Sequence, residues 1–451
     1  MKNIPSVHKI IAVTSKLLPI GKTYLTFLCR KHISKVRENY YEEFKDLSTK
    51  NMISLISNNI LEEISVSFKN IINGTGIVLN TNLGRAPFEA AELISVSKKL
   101  EGYVNLEYNL ITGKRSNRMD YISDHISSIC SSESSLVVNN NAAAVLLSIN
   151  TLAEGFEVIC SRGQLVEIGG SFRISDMIKK SGATLVEVGS TNRTHVYDYE
   201  NAITNNSRLL LWVHTSNYKI DGYTNEVSLK DMVQIGKRHN IPVMADLGSG
   251  TFINFNEFGL PKELPIEHII DQGLDLTTFS GDKLIGGPQS GIITGSKKII
   301  KKVYNNSLYR TMRIDKITLS LLDQTIASID KKIFKNNLTF NLLTSKRNKL
   351  KIDIEKLYDN IPKEHKRNLG IFIVKSKVAA GSGSLPIKSI KSMALKFEPK
   401  ICNVDFLAKY FRINPPHVIG YINNNSFFID FKAILPKQYI LVEKSILSFT
   451  I

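Results

Sequence analysis

From Ser135 onward, short apolar runs of strand length alternate with stretches whose apolar positions recur at helical spacing. The runs are Ser135 to Val138, Val158 to Cys160, Leu185 to Val188, Leu209 to Val213, Pro242 to Ala245, Leu276 to Phe279 and Gly291 to Thr294. Helices are predicted over Ala142 to Leu152, Phe172 to Lys180 and Leu229 to His239. Continuous apolar runs are buried on both faces, which is how a parallel sheet with crossover helices reads. The predicted fold class is therefore α/β, with a parallel-rich seven-stranded sheet and a ligand site at the strand C-terminal ends. After about Asp330 the chain turns Lys-rich (Lys331-Lys332, Lys346-Arg347, Lys349, Lys351) and less regular, which predicts a smaller α+β domain.

The N-terminus has a different pattern. Apolar residues at Ile10, Ile11, Val13, Leu17 and Leu18, then Tyr24, Leu25, Phe27 and Leu28, fall at helical spacings and predict packed helices. Lys2, Lys9, Lys16, Lys22, Arg30, Lys31, Lys35 and Arg37 all precede the first acid, Glu38, so those helices carry a cationic face. The expected division is 1–65, a basic helical domain; 66–330, a large α/β domain; and 331–451, a small C-terminal domain.

Length and composition agree with this division. The 451 residues exceed one ordinary core, and 43% hydrophobic content with only 13 prolines describes a globular chain. Lys and Arg number 58 against 41 acids, a net charge of +17. Such a surplus attracts polyanions and serves nucleic acids or anionic metabolites. No window approaches the roughly 18 uninterrupted apolar residues of a membrane span. Ile10 to Val13 and Leu17 to Ile20, split by Thr14, Ser15 and Lys16, are too interrupted for a signal-peptide core. Cys29, Cys130, Cys160 and Cys402 lie far apart without Cys-x-x-Cys spacing, so no metal site or disulfide framework is expected, and a reducing cytoplasm fits.

Candidate chemistry gathers at the ends of the predicted strands. Lys283, in Thr278-Phe279-Ser280-Gly281-Asp282-Lys283, follows an apolar run and precedes Gly286-Gly287. A lysine there is desolvated, which depresses its pKa and suits it to imine chemistry with pyridoxal 5′-phosphate (PLP); the bland alternative is a surface loop lysine. Asp246, in Ala245-Asp246-Leu247-Gly248, also ends an apolar run. A PLP site needs a carboxylate against the pyridine nitrogen. A metal ligand or a helix cap is the other reading of Asp246. Asn139-Asn140-Asn141-Ala142 marks a strand running into a helix, where backbone N–H groups and the amides of Asn140 and Asn141 form an anion site for the cofactor phosphate, or a plain cap. Ser280 is placed to add a hydroxyl. Arg310 and Arg313, at i and i+3, would share a helix face and grip one tetrahedral oxyanion, with Arg85 as a third candidate. A solvated helix beside Asp315 is the alternative. Lys114, Arg115 and Arg118 form a further basic cluster.

Longer blocks carry a resemblance: Asn3-Ile4-Pro5-Ser6-Val7, Asn73 to Pro87, Asn105-Leu106-Glu107-Tyr108, Thr112 to Arg115, Val137 to Leu147, Ser161 to Ile174, Val186 to His195, His214 to Tyr218, Asp246 to Gly250, Thr278 to Gln289 and Leu308 to Lys316. In this order they resemble the bacterial selenocysteine synthase family, the L-seryl-tRNA(Sec) selenium transferases, nearly end to end. Ser384-Leu385-Pro386 and Pro415 to Gly420 are weaker echoes. The resemblance implies an aspartate-aminotransferase-like PLP fold, a homodecamer in the cytoplasm, and an N-terminal domain that holds seryl-tRNA(Sec). It implies PLP on Lys283 against Asp246, and Arg85, Arg310 and Arg313 around selenophosphate, the selenium donor. The reaction it implies converts the seryl group to selenocysteinyl through an aminoacrylyl intermediate. The chain departs from the family pattern at Gln164, where Glu is expected, at Lys219 and Lys432 for Arg, and at Asn254 for Asp; Gly381-Ser382-Gly383 interrupts a glycine run. Two rivals are a PLP lyase acting on a small phosphorylated amino acid and a non-catalytic tRNA-binding protein on the same scaffold.

Overall fold

The structure is a computed structural model that describes residues 3–16, 20–64, 68–165, 167–168, 172–215, 218, 220, 222–381, 384 and 390–449. Leu17, Leu18, Lys219, Ser382, Gly383, Leu385 and Pro386 lie outside the described residues. The chain divides into two compact units, Met1–Asn70 and Ile71–Ile451.

In the first unit, α1 (Val7–Thr14), α2 (Lys22–Glu38) and α3 (Thr49–Ile64) pack around Ile10, Leu25, Leu28, Ile33, Val36, Met52, Ile56 and Ile60. Thr14 Oγ1 lies 2.9 Å from Ser57 Oγ, tying α1 to α3, and His32 Nε2 lies 2.9 Å from Glu63, tying α2 to α3. Val13, Tyr24 and Phe27, expected among the packed positions, are exposed instead. The reason is helical phase: Leu25, Leu28, Cys29 and His32 take the inner face of α2, which leaves Tyr24 and Phe27 on the outer face beside Arg30 and Lys31.

The second unit is built on a seven-stranded sheet of β1 (Ser134–Val138), β2 (Glu157–Ser161), β3 (Thr184–Val188), β4 (Ser207–Val213), β5 (Val243–Asp246), β6 (Leu276–Ser280) and β7 (Gly291–Gly295). The spatial order is β1-β7-β6-β5-β4-β2-β3. β7 runs antiparallel to both its neighbours, and the other pairings are parallel. Almost every residue of β1, β2, β5, β6 and β7 is buried, as their apolar runs require. Helix α4 (Asn141–Ala153) leaves the end of β1 and packs on this sheet. The predicted helix from Phe172 begins only at Ile174, because Phe172–Arg173 pairs as a short strand with Glu167–Ile168.

Past Asp330 the chain forms a four-stranded antiparallel sheet: β8 (Ile371–Val378), β9 (Ile390–Phe397), β10 (Tyr421–Asn423) and β11 (Ser426–Asp430), in the order β8-β9-β11-β10. Its core is rich in Phe397, Phe411, Phe427 and Phe431. This part also takes in residues from before the large sheet, since Ile72–Asn73 pairs in parallel with Val418–Ile419.

Candidate active site

Parallel pairing of β5 and β6 sets Asp246 opposite Thr278, so the last residue of one strand and the turn beyond the other meet at the C-terminal edge of the sheet. Lys283 sits in that turn and is only 5% exposed. The turn is closed by Gly286 N donating to Lys283 O at 2.9 Å and Gly287 N donating to Gly281 O at 2.9 Å. Burial holds the Lys283 amine below the usual lysine range and the Arg85 charge lowers it further, while Asp246 and Asp282 oppose the shift.

Asp246 is also buried, and burial pushes its carboxyl up against the pull of its hydrogen bonds and of Lys283. Asn141 Nδ2 at 2.9 Å, Gly248 N at 3.1 Å and Thr278 Oγ1 at 3.1 Å all donate to Oδ1. Oδ2 receives none of these bonds.

Asn141 opens α4. Asn140 caps that helix, its Oδ1 accepting from Ala143 N at 2.8 Å. Asn140 Oδ1 and Asn141 Nδ2 are thus engaged within the protein. What remains open at the helix start are the backbone N–H groups of Asn141 and Ala142, which no helical carbonyl can reach. Gly291 makes room for this corner, since a Cβ there would lie 2.1 Å from Asn140 O. Asn141 Oδ1 is buried without a partner. Ser280 is buried at the end of β6.

The arginines separate. Arg85, in a left-handed conformation at φ 62°, pairs through Nη1 with Asp282 Oδ2 at 2.7 Å, directly beside Lys283. A cavity of about 200 Å³ lies here, lined by Arg85, Asp282, Phe88 and Gln289 among others. Arg310 and Arg313 do not share an α-helical face. Ser307–Met312 is a 3-10 helix, and Arg313 is pulled out of it because its backbone bridges to Val138 at the end of β1. Asn139 N donates to Met312 O at 3.0 Å, so Arg313 sits against the strand-to-helix corner that holds Asn140 and Asn141. Its Nη1 is 3.7 Å from Glu107 Oε1, and its Nε is buried without a partner. Arg310 is exposed and has no ion pair or hydrogen bond among the described residues. Asp315, offered as a neighbour for these arginines, caps the next helix through Ile317 N and Thr318 N.

Two carboxylates organise these cations, and neither was assigned a role from sequence. Asp282 holds Arg85. Glu107 takes Arg118 at 2.7 and 3.0 Å and Arg115 at 3.0 Å, and these contacts, Arg118 first, hold it below the usual carboxylate range against burial. Asp282 and Arg85 are 197 residues apart, whereas Glu107 meets Arg115 and Arg118 only 8 and 11 residues on. Among the departures, Gln164 accepts from Val213 N at 3.1 Å, Asn254 caps a short 3-10 helix, and Lys432 is buried with Nζ 2.7 Å from Ser345 O. A larger cavity, about 580 Å³, adjoins the ends of β4 and β5 around Trp212, His214, Glu263 and His268, and Asp246 and Lys283 are not among its lining residues. Among the described residues the site proper thus gathers a buried amine of lowered basicity, a carboxylate with one oxygen unspent, two open N–H groups and neighbouring arginines.

A family model described as L-seryl-tRNA selenium transferase matches residues 71–435. Curated relatives named L-seryl-tRNA(Sec) selenium transferase include those of Aquifex aeolicus (39% identical, covering 99% of this chain and 98% of the relative), Carboxydothermus hydrogenoformans (40%, 97% and 95%) and Clostridium botulinum strain Okra (38%, 98% and 97%). Among solved structures, a D-glucosaminate-6-phosphate ammonia-lyase superposes with a TM-score of 0.60 at 17% identity, over 86% of this chain and 96% of its own. The fold is the aspartate-aminotransferase-like α/β fold expected from the sequence.

Proposed function

This chain belongs to the L-seryl-tRNA selenium transferase family, and from that premise we propose that it converts seryl-tRNA(Sec) to selenocysteinyl-tRNA(Sec) with PLP as cofactor and selenophosphate as selenium donor. The observation that carries the cofactor assignment is Lys283: a lysine 5% exposed at a strand end, its basicity lowered, beside a buried aspartate with a free oxygen.

The residues fit PLP. The open N–H groups of Asn141 and Ala142 suit its phosphate, Asp246 Oδ2 suits its ring nitrogen, Lys283 suits its aldehyde, and Ser280, which ends β6 just before Lys283, adds a hydroxyl. When bound, PLP supplies an electron sink for a carbanion at the substrate α-carbon. The chain's own residues then have defined tasks. Lys283 Nζ, kept from full protonation by burial and by Arg85, takes the α-proton. Asp246 keeps a positive charge on the ring nitrogen. Arg85 and Arg313 hold the tetrahedral anion of the selenium donor, and Arg313 Nε has no partner among the described residues. Arg310, exposed and without an ion pair among the described residues, is the third member of that group.

The N-terminal unit, with its basic outer face, suits the tRNA. We further propose a homo-oligomer, a decamer, acting in the cytoplasm. No described helix is long and apolar enough to cross a membrane.

The lyase rival shares the scaffold at 17% identity, whereas relatives named as selenium transferases extend at 38–40% over nearly the whole chain, N-terminal unit included. The test is direct. PLP-loaded protein is reduced with borohydride and peptide-mapped, then supplied with seryl-tRNA(Sec) and selenophosphate, or with phosphorylated amino acids. Label on Lys283 and selenium on the tRNA are expected. Ammonia release from the small substrates without selenium transfer would establish the lyase.

A further inference from the structure

Arg85 reaches Asp282 from a turn that the rest of the protein builds with unusual care, and the hydroxyl of Thr75 is at its centre. Thr75 Oγ1 donates to Asn73 Oδ1 at 2.7 Å and accepts from Ile77 N and from Asn80 Nδ2, each at 3.3 Å. Asn73 completes the ring by accepting from Thr75 N at 3.2 Å and donating to Ile77 O at 2.9 Å. Asn80 then connects this knot to the arginine: it caps the 3-10 helix Thr81–Leu83, and its carbonyl accepts from Arg85 N at 2.9 Å. Gly84 and Arg85 follow at φ 90° and 62°, so the arginine is held in a conformation that L side chains disfavour.

The knot rests on a buried floor. Thr75 bridges to Asp430, whose N–H donates to Gly74 O at 2.8 Å. Asp430 is fully buried and accepts from Ser376 Oγ at 2.5 Å and Ser392 Oγ at 2.6 Å, which locks it to β8 and β9. Gly76, at φ 76°, lies so close that a Cβ would be 2.8 Å from Asp430 Cγ. We infer that Thr75 is a positioning residue for the reaction: seated on Asp430, its hydroxyl sets the turn from which Arg85 meets Asp282 and faces Lys283. Every link is a named contact, running from the small sheet through Thr75 and Asn80 to the arginine beside the lysine.

The inference rests on the reading of Arg85 as an active-site side chain, and its test has one arm that does not. In the cofactor-free protein, the groups acting on the Lys283 amine are Arg85, Asp246 and Asp282. If Arg85 swings away, its charge no longer lowers the lysine, and the two aspartates raise it. Competitive labelling of Lys283 with an amine-reactive reagent across pH, read by peptide mass, reports this directly. Thr75→Val, which keeps shape and removes the hydroxyl, should move the labelling midpoint up and lower selenium transfer by about tenfold to a hundredfold, as misplacement of a reacting group does. Thr75→Ser restores the hydroxyl and should restore both. In an Arg85→Lys background, Thr75→Val should cost little more, because the two act through one side chain. If Thr75→Val does not fold, Asn80→Ser is read in the same way, since serine still caps the helix but cannot span to Thr75. A labelling midpoint unmoved in Thr75→Val, or a serine variant as impaired as the valine, overturns the inference. A midpoint that moves while selenium transfer stays unchanged keeps Thr75 as the setter of Arg85 but removes Arg85 from the chemistry.

Discussion

Replacing Asp246 by asparagine separates the structural work of that residue from its chemical work. Asn141 Nδ2, Gly248 N and Thr278 Oγ1 all donate to Oδ1, at 2.9, 3.1 and 3.1 Å. In Asp246→Asn these three donors fix the new amide with its oxygen at the Oδ1 position and its NH2 where Oδ2 was. No donor is stranded, so the loss of a buried hydrogen-bond partner, roughly 1–3 kcal/mol, is avoided. The substitution also removes a carboxylate that burial disfavours, so the unfolding midpoint should hold or rise. A heterocyclic nitrogen facing the former Oδ2, however, now meets a donor and cannot keep its proton. Loss of one preorganised electrostatic contact of this kind slows a reaction about 10²–10³-fold, roughly 2.7–4 kcal/mol. Thermal unfolding of the cofactor-free protein, PLP uptake by absorbance and single-turnover selenium transfer measure the three consequences separately. Stability and uptake should survive while transfer falls by two orders of magnitude or more. Unchanged transfer would falsify the ring-nitrogen role, and a collapse of folding would show that the amide does not take the orientation the donors dictate.

Lys283→Ala should fold and lose the borohydride-trapped PLP adduct; an adduct recovered on another lysine would remove Lys283 from the centre of the mechanism. Arg313→Lys should retain PLP while lowering selenium transfer at least about tenfold, since one charge-assisted hydrogen bond is worth roughly 1.5–3 kcal/mol and a point charge does not reproduce the planar fork; Arg310→Lys, at an exposed unpaired side chain, should have the smaller effect, and the reverse ranking would exchange their roles. Removing residues 1–70, the whole first compact unit, should abolish salt-sensitive tRNA binding and leave the PLP spectrum, whereas undiminished affinity by filter binding would move the RNA surface elsewhere. Burial raises Glu263 to about 7, so the folded state holds a proton there that the unfolded chain releases near pH 4.5, and this group's contribution to stability falls as pH rises from about 4.5 to about 7. Glu263→Gln should therefore be more stable than the parent at pH 8 by about 1–3 kcal/mol and show little gain at pH 4, as read from urea midpoints; an equal gain at both would mean that repacking against His214, not ionisation, was responsible.

The sequence made the strands legible because seven of them are short, mostly apolar runs, and it made Lys283 and Asp246 legible because Asp246 closes such a run and Lys283 follows another. It could not order the strands, since β1 pairs with β7 and β7 turns antiparallel only through contacts between distant segments. The same separation hid Asp282: Arg85 and Asp282 are 197 residues apart, so a motif that shows the acid does not show what it holds. Arg310 and Arg313 were misread for a local reason. Their i, i+3 spacing joins side chains only on a continuing helix, and the bridge from Arg313 to Val138 ends the helix between them. What distinguishes a binding cation from a structural one is whether its donors are already used, and that is a property of the folded chain. Arg118 spends Nε and Nη2 on Glu107 and Nη1 on Ile314 O. Arg313, whose Nη1 lies 3.7 Å from the same Glu107 Oε1, keeps a buried Nε with no acceptor among the described residues. Buried donors are satisfied in the great majority of cases, and leaving one bare costs folding free energy. An unspent guanidinium N–H, beside a helix start whose first N–H groups are also open, is the feature that separates Arg313 from Arg118, and it became visible only once the chain was folded.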